Sequence, residues 1–159
     1  MGTPTMTPRT EPAGSRLIDG WKSTIAFSVD PSVYVWEIEC TPFGLEGGEK
    51  HKITTMHNDV YEQYAPHPLI ELSDGEMLVA YDPAHLSRLL GMIDSQGSVT
   101  YHYPNHGADS AFGYLRSFKR NSLKIGEMPT AVCVIVHTNR DPSDGSEAGP
   151  VYTASGGTP

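Results

Sequence analysis

The sequence has little of what nucleic-acid-binding, membrane and secreted proteins usually carry. Only 11 of its 159 residues are basic against 19 acidic ones, so the net charge is −8. Wrapping DNA or RNA requires Lys and Arg to replace phosphate counterions, which excludes that function, although an acidic chain can still face DNA without adhering to it. No apolar run is long enough to span a bilayer. The opening MGTPTMTPRTEPAGS contains no apolar stretch and therefore predicts no secretory signal.

Cysteines are also few. The two in the chain, Cys40 and Cys133, both fall in strand-like runs, and nothing in the sequence points to a disulfide between them. Cys133 lies in the most apolar run, where burial disfavours a nucleophilic thiolate. We therefore expect two buried thiols in a protein made in reducing cytoplasm.

Sequence signatures of catalytic and metal sites are missing. The segment TPFGLEGGEK lacks the spacing and the Lys-Ser/Thr ending of a phosphate loop, and no CxxC, HExxH or serine elbow occurs. His102 and His106 form the closest histidine pair, but without further ligands we interpret them as surface or loop residues. The acidic segment 141–147 fails the spacing of a calcium loop and predicts a solvated turn. We thus predict no catalytic, cofactor or metal site, and a binding or structural protein.

Glycine (16) and proline (13) are plentiful, and they favour one domain of short strands and turns. Between the two ends of the chain the apolar period is mostly two, which is typical of strands. The predicted strands are 24–29, 33–39, 68–73, 76–81, 97–103, 111–118 and 129–138. Asp30-Pro31 predicts a hairpin between the first two. The nearly continuous apolar run 131–136 predicts a strand buried on both faces.

One helix is predicted, at residues 83–93. Asp82 suits the N-cap and Pro83 the first helical position. An apolar stripe at helical spacing follows, formed by Leu86, Leu89, Leu90 and Ile93. The sequence therefore predicts a mainly β protein, an antiparallel sandwich or barrel over residues 19–139 with one flanking α-helix.

Three segments fit neither period. Residues 1–18 and 140–159 are poor in apolar residues and predict either disordered termini or extended arms that order on a neighbouring subunit. Residues 41–66 contain Gly44, Gly47 and Gly48 and predict a long loop. Loops of this length are uncommon in compact domains and are usually functional.

Charge is unevenly distributed. Residues 30–82 contain eleven acidic side chains and only two basic ones, whereas residues 109–124 contain four basic side chains and only one acidic one. Two interpretations remain: ordinary solvated faces, or complementary surfaces by which one copy meets the next.

Four segments in this order resemble the tail tube proteins of siphophages and related prophage-like elements. They are ECTPFGLEGGEKHKITTMHN, then LIELSDGEMLVAYDPAHLSRLL, then GEMPTAVCVIVHTN, followed by SEAGPVY. The resemblance spans about residues 22–152, and the order and spacing of the segments give it its weight.

The resemblance implies a β-sandwich subunit that forms homohexameric rings, which stack into a hollow tube around a tape measure protein. Implied partners are other copies of the chain, the tape measure, and the tail terminator and tail-tip proteins. Genomic DNA would pass without specific binding, because six copies at −8 give about −48 per ring. The implied location is the virion tail, assembled in the host cytoplasm, with no membrane contact.

Three groups of residues are the predicted functional sites. The inter-ring stacking loop comprises Gly44, Gly47, Gly48, Thr54, Thr55, Met56, His57 and Asn58. The candidates for the tube lumen are Glu37, Glu39, Glu71 and Glu76. The inter-subunit basic patch comprises Arg116, Lys119, Arg120 and Lys124.

Two alternatives remain from the sequence. The chain could be the tube subunit of a contractile injection or type VI-like machine, in which a sheath surrounds the tube. It could instead be a monomeric β-sandwich that binds carbohydrate on exposed aromatic residues such as Trp21, Tyr101 or Tyr103.

Overall fold

A computed structural model describes residues 23–104 and 107–154 of the chain. The arm predicted at residues 1–18 lies outside the described residues. The strands within this range are β1 Thr24–Phe27, β2 Trp36–Thr41, β3 Leu45–Lys52, β4 Tyr64–Leu72, β5 Gly75–Ala80, β6 Gly97–Tyr103, β7 Gly107–Arg120, β8 Thr130–His137 and β9 Val151–Thr153. A 3-10 turn at Pro83–His85 leads into the α-helix α1, Leu86–Gly91. The mainly antiparallel β fold with one short helix confirms the predicted fold class.

The strands form one large sheet and a separate hairpin. The large sheet has the order β1-β6-β7-β8-β5-β2, with β9 beside the first half of β7, and β3 pairs only with β4. The Ile25 N–H in β1 donates to Glu37 Oε1 in β2 at 2.9 Å. Strands at opposite ends of the order therefore lie side by side, and the large sheet curls like a barrel.

The core lies inside this curl. Its largest fully buried side chains are Tyr101, Met77, Ile135, Val79 and Val99. Helix α1 closes the core with Leu89 and Met92, which are 2% and 4% exposed. Leu86 and Ile93 pack against the same core, but Leu90 is 42% exposed, so one member of the predicted stripe was assigned to the wrong face.

The predicted hairpin at Asp30-Pro31 is wrong. β1 pairs with β6 and β2 pairs with β5, so the turn connects two ends of the curled sheet. Asp30 accepts hydrogen bonds from Ser32 and forms an ion pair with Arg88 of α1 at 3.1 Å. Val33, buried in the core, then leads the chain to β2. Local hydrogen bonds and the ion pair with Arg88 therefore hold this turn, which does not join two paired strands.

β8 is not buried on both faces as predicted. Its side chains alternate: Ala131, Cys133 and Ile135 are buried, while the valines between them are half-buried on the outer face. The sheet is one layer thick here, and no element within residues 23–104 and 107–154 covers its outer face. One face of the apolar run therefore lies in the core, and the other face is only partly shielded from solvent by neighbouring side chains.

The expected long loop at 41–66 is also wrong, because most of it is the β3–β4 hairpin. No apolar period marks this segment, since neither face of the hairpin packs on the core. The C-terminal arm needs a similar correction: Val151–Thr153 adds strand β9 to β7, paired through Ser110, Asp109 and Ala108. Between β8 and β9, Asp141 accepts hydrogen bonds from Ser143 and forms the turn expected there.

Candidate assembly surfaces

The β3–β4 hairpin is the longest exposed element of the described chain. Every residue of β3 is exposed, and in β4 only Leu72 is buried. Three large apolar side chains at its base, Leu45, Leu69 and Ile70, are 62%, 67% and 62% exposed. A two-stranded hairpin is marginally stable alone in water. This hairpin therefore offers unsatisfied strand edges and apolar side chains to another molecule.

The predicted stacking residues lie at the two ends of this hairpin. At its base, the Gly44 N–H donates to Ser73 Oγ at 2.7 Å, and Gly47 and Gly48 sit at bulges in β3. Gly48 lies against the His67 side chain of β4, where a Cβ would not fit. The backbone at this bulge therefore requires glycine.

The remaining stacking residues form the hairpin tip. Asn58 Oδ1 accepts from the Thr55 N–H at 2.8 Å, and the Thr54 hydroxyl accepts from the Gln63 N–H at 2.8 Å. His57 is exposed, and Met56 is fully exposed. The tip is thus an ordered turn that presents an apolar side chain to solvent.

An apolar groove of about 600 Å³ runs along the hairpin base. We call it the base groove, and it is lined by Leu45, Pro68, Leu69, Ile70, Leu72, Asn139, Glu147, Gly149 and Pro150. Glu147 is an exposed carboxylate in its wall.

On the opposite face of the hairpin, Glu46 and Glu71 stand directly across from each other. Like charges in such a pair are destabilising, and no basic side chain within the described ranges forms a salt bridge with either.

The four lumen candidates do not share one face. Glu39 and Glu76 lie together on the outer face of the large sheet, beside Val132. Glu37 turns towards β1, where it accepts from the Ile25 N–H, and Glu71 is on the hairpin. The structure therefore brings together two of the four carboxylates.

The residues of the predicted basic patch lie along the end of β7 and the turn that follows it. Arg116, Lys119 and Arg120 are exposed on β7, and Lys124 follows in the turn to β8, 3.9 Å from the Glu127 carboxylate.

The turn between β7 and β8 also contains an apolar surface that sequence reasoning missed. We call residues 121–129 the apical loop; its Leu123, Ile125 and Met128 are 76%, 106% and 63% exposed. The sequence signal was available: three large apolar residues within six positions of a turn.

Titratable groups in the core are structural. The Tyr101 hydroxyl lies 3.0 Å from His137 Nε2, and both side chains are buried. Burial lowers the pKa of His137, and the nearby Phe112 carbonyl and Asp74 carboxylate oppose this only in part. Burial raises the pKa of Cys133 to about 12. Burial, together with the Glu37 charge, raises the pKa of Cys40 to about 11. Both cysteines are free thiols, Cys133 buried as expected and Cys40 half-buried.

Metal clusters and membrane-spanning helices do not occur within the described ranges, 23–104 and 107–154. No three His, Cys, Asp or Glu side chains there are grouped to hold a metal ion. No helix in that part of the chain is long and apolar enough to cross a membrane.

The aromatic residues named for carbohydrate binding do not form a platform in the described ranges. Tyr101 is 1% exposed and Tyr103 is half-buried, while Trp21 lies outside those ranges. The exposed aromatic pair is Tyr34 and Trp36, whose rings meet edge to face with centroids 5.4 Å apart. The aromatic surface seen in the described chain is therefore not the one that was expected.

Comparison with solved structures gives the fold a precedent. The chain is similar to a chain of the baseplate of the anti-feeding prophage, solved by cryo-electron microscopy with six-fold symmetrisation. The TM-score is 0.54 at 11% sequence identity, over 87% of this chain and 94% of that one. The two chains share a fold. No protein-family model matches the sequence, and no curated protein matches it.

Proposed function

We propose that this protein is a structural subunit of a phage tail or phage-like injection particle, which assembles with copies of itself into rings that stack into a tube. The observation that carries the proposal is the β3–β4 hairpin, which projects from the curled sheet with its apolar residues and strand edges exposed. An edge of this kind invites aggregation unless another chain pairs with it or covers it.

Fold likeness supports the proposal. The similar chain belongs to a baseplate of a prophage-like particle, and the match extends over nearly the whole of both chains. That particle was solved with six-fold symmetrisation, which agrees with rings of six copies. On this proposal the protein acts by assembly and not by catalysis, and it resides in the particle.

Within this class we propose the tail tube role, with the tape measure, terminator and tail-tip proteins as partners and with DNA passing through the lumen. Glu39 and Glu76 on the outer sheet face, together with the overall charge of −8, suit a surface that DNA passes without adhering. The origin of the similar chain favours one alternative: a subunit of a contractile injection machine.

Electron microscopy of the purified full chain tests the proposal. We expect negative-stain images to contain rings or tubes, and sedimentation to shift to larger species as the concentration rises. A chain that stays monomeric at every concentration tested would contradict self-assembly.

Two variants provide the controls. Leu69→Asp replaces an exposed apolar side chain of the hairpin base and should abolish assembly while leaving the circular dichroism spectrum unchanged. Thr24→Ser, at an exposed position of β1 away from the hairpin, should assemble as the unmodified chain does. Co-sedimentation of a sheath protein with the tubes would select the contractile alternative.

A further inference from the structure

The apical loop and the base groove both expose apolar side chains to solvent. The loop projects Leu123, Ile125 and Met128 into solvent, and the groove is an apolar cleft with similarly exposed leucine and isoleucine side chains. Neither surface has a partner within residues 23–104 and 107–154. Each would gain from burial by the other, because removing apolar area from water is favourable.

Charge around the two surfaces is of opposite sign. Arg120 and Lys124 lie on and beside the apical loop, where Glu127 is the one acidic residue. Glu147 lines the base groove, where Arg140 lies across from it in a β-bridge and two aspartates stand in the turn between them, so acidic groups outnumber basic ones at this wall. Opposite potentials across an interface speed encounter and fix its register.

One copy cannot satisfy both surfaces by itself. The apical loop precedes the first residue of β8, and the groove wall formed by Asn139 and Glu147 follows its last residue. Eight strand residues separate them, which is roughly 25 Å at about 3.3 Å per residue. The hairpin base is at the same end as that wall, because β5, which follows β4, begins opposite Ile135.

We infer that the apical loop of one copy docks in the base groove of the next copy. Because the two surfaces differ and lie at opposite ends of β8, the contact is head-to-tail. Head-to-tail contacts produce closed rings where the rotation closes and filaments where it does not. The inference rests on the proposed self-assembly and names the segments through which copies join.

Cysteine cross-linking tests this contact directly. Ile125→Cys and Leu69→Cys both replace exposed side chains, so neither should impair folding. Mixing the two single variants under oxidising conditions should give a covalent dimer, and a chain carrying both substitutions should give a ladder of oligomers. The control pair, Ile125→Cys with Val60→Cys at the hairpin tip, should give background dimer, as should the unmodified chain with its two native thiols.

An assembly assay adds a second readout. Ile125→Asp should raise the concentration needed for assembly tenfold or more, which corresponds to about 1.4 kcal/mol of lost contact. Lys124→Glu should act in the same direction, and adding Glu147→Lys to that chain should restore assembly in part. Circular dichroism melts should match those of the unmodified chain throughout.

The outcomes separate this inference from the proposed function. The loop–groove contact is overturned if Ile125→Asp forms rings or tubes normally. It is also overturned if the paired cysteine variants form rings or tubes but no cross-link between positions 125 and 69. Either outcome leaves the tube proposal intact. A specific cross-link without rings or tubes supports the contact and contradicts the tube. A cross-link that appears only after removal of residues 1–18 would mean that the chain's own N-terminal segment occupies the groove, which overturns the inference.

Discussion

The Tyr101–His137 pair places a titratable group at the centre of the core. Its imidazole is 8% exposed and hydrogen-bonded to a tyrosine hydroxyl that is itself buried. The sequence indicated that Tyr101 belongs to a strand, but nothing in the local pattern joins positions 101 and 137. Their contact follows from the order of strands in the sheet, which local periodicity does not encode.

Stability should fall as the pH is lowered through about 6.5, the ordinary histidine pKa. Burial lowers the pKa of His137 in the folded chain, so the unfolded chain binds a proton first, and stability is lost progressively as the pH falls towards the folded value. His137→Gln retains a hydrogen-bonding group for Tyr101 and should flatten this dependence. Thermal melts from pH 8 to pH 5 measure it, and exposed His102→Gln is the control. An equally steep dependence in His137→Gln would contradict the assignment.

Gly113 is required by backbone packing between β7 and β8. A Cβ at this position would overlap the Val136 carbonyl oxygen, which cannot move without disturbing the sheet. We expect Gly113→Ala to lower the free energy of unfolding by about 1–3 kcal/mol, as overpacked cores do. Gly91→Ala is the matched control because open space surrounds that position, at the end of α1. Urea unfolding measures both, and equal stability of the two variants would refute the packing argument.

The β3–β4 hairpin shows when an alternating apolar pattern in the sequence fails to predict a strand. Strand β6 was predicted with the bounds that the structure has, and β5 and β8 within a residue at each end, because their inner faces alternate into the core. Most of the hairpin has no inner face, so residues 41–66 contain no apolar period and were interpreted as a loop, whereas the predicted strand 68–73 coincides with the second half of β4. The predicted stacking residues lie along this segment, but the sequence did not predict the strand geometry that relates them.

Excising the hairpin should separate folding from assembly. Replacing residues 46–71 by Asn-Gly, which favours a two-residue turn, keeps the Leu45–Leu72 pair at its base. We expect a thermal midpoint within a few degrees of the full chain, because apart from Leu72 the hairpin contributes nothing to the buried core. Rings and tubes should be absent by electron microscopy. A variant that unfolds would mean that the hairpin supports the core, and one that still forms tubes would contradict its role in assembly.

For the molecule as a whole, composition predicted one mainly β domain and the resemblance predicted a self-assembling one. The sequence left a sandwich and a barrel open, because the choice depends on β1 and β2, at opposite ends of the strand order, lying side by side. The uneven distribution of charge was visible in the sequence. The sequence did not show that the apolar residues beside the basic patch lie at the opposite end of β8 from the base groove.

Removing residues 1–18 should block tube growth and leave folding intact. The sequence of this segment, with three prolines and few apolar residues, cannot build a core of its own, so its loss should not change the thermal midpoint. Tube length in negative stain is the measurement, and a scrambled segment of the same composition is the control. Long tubes from the truncated chain would refute a role for this segment.

The exposed hairpin also has a consequence for copies that fail to assemble. Lys50 and Lys52 lie in strand β3, all of whose residues are exposed, and in the described chain their side chains contact only Tyr64 and Glu62 of the same hairpin, so trypsin should cut free subunits within it. Docked subunits should resist, and the half-life of the intact band would report incorporation in real time. On the proposed function, the same difference would let proteases in a host cell degrade surplus subunits while sparing assembled particles.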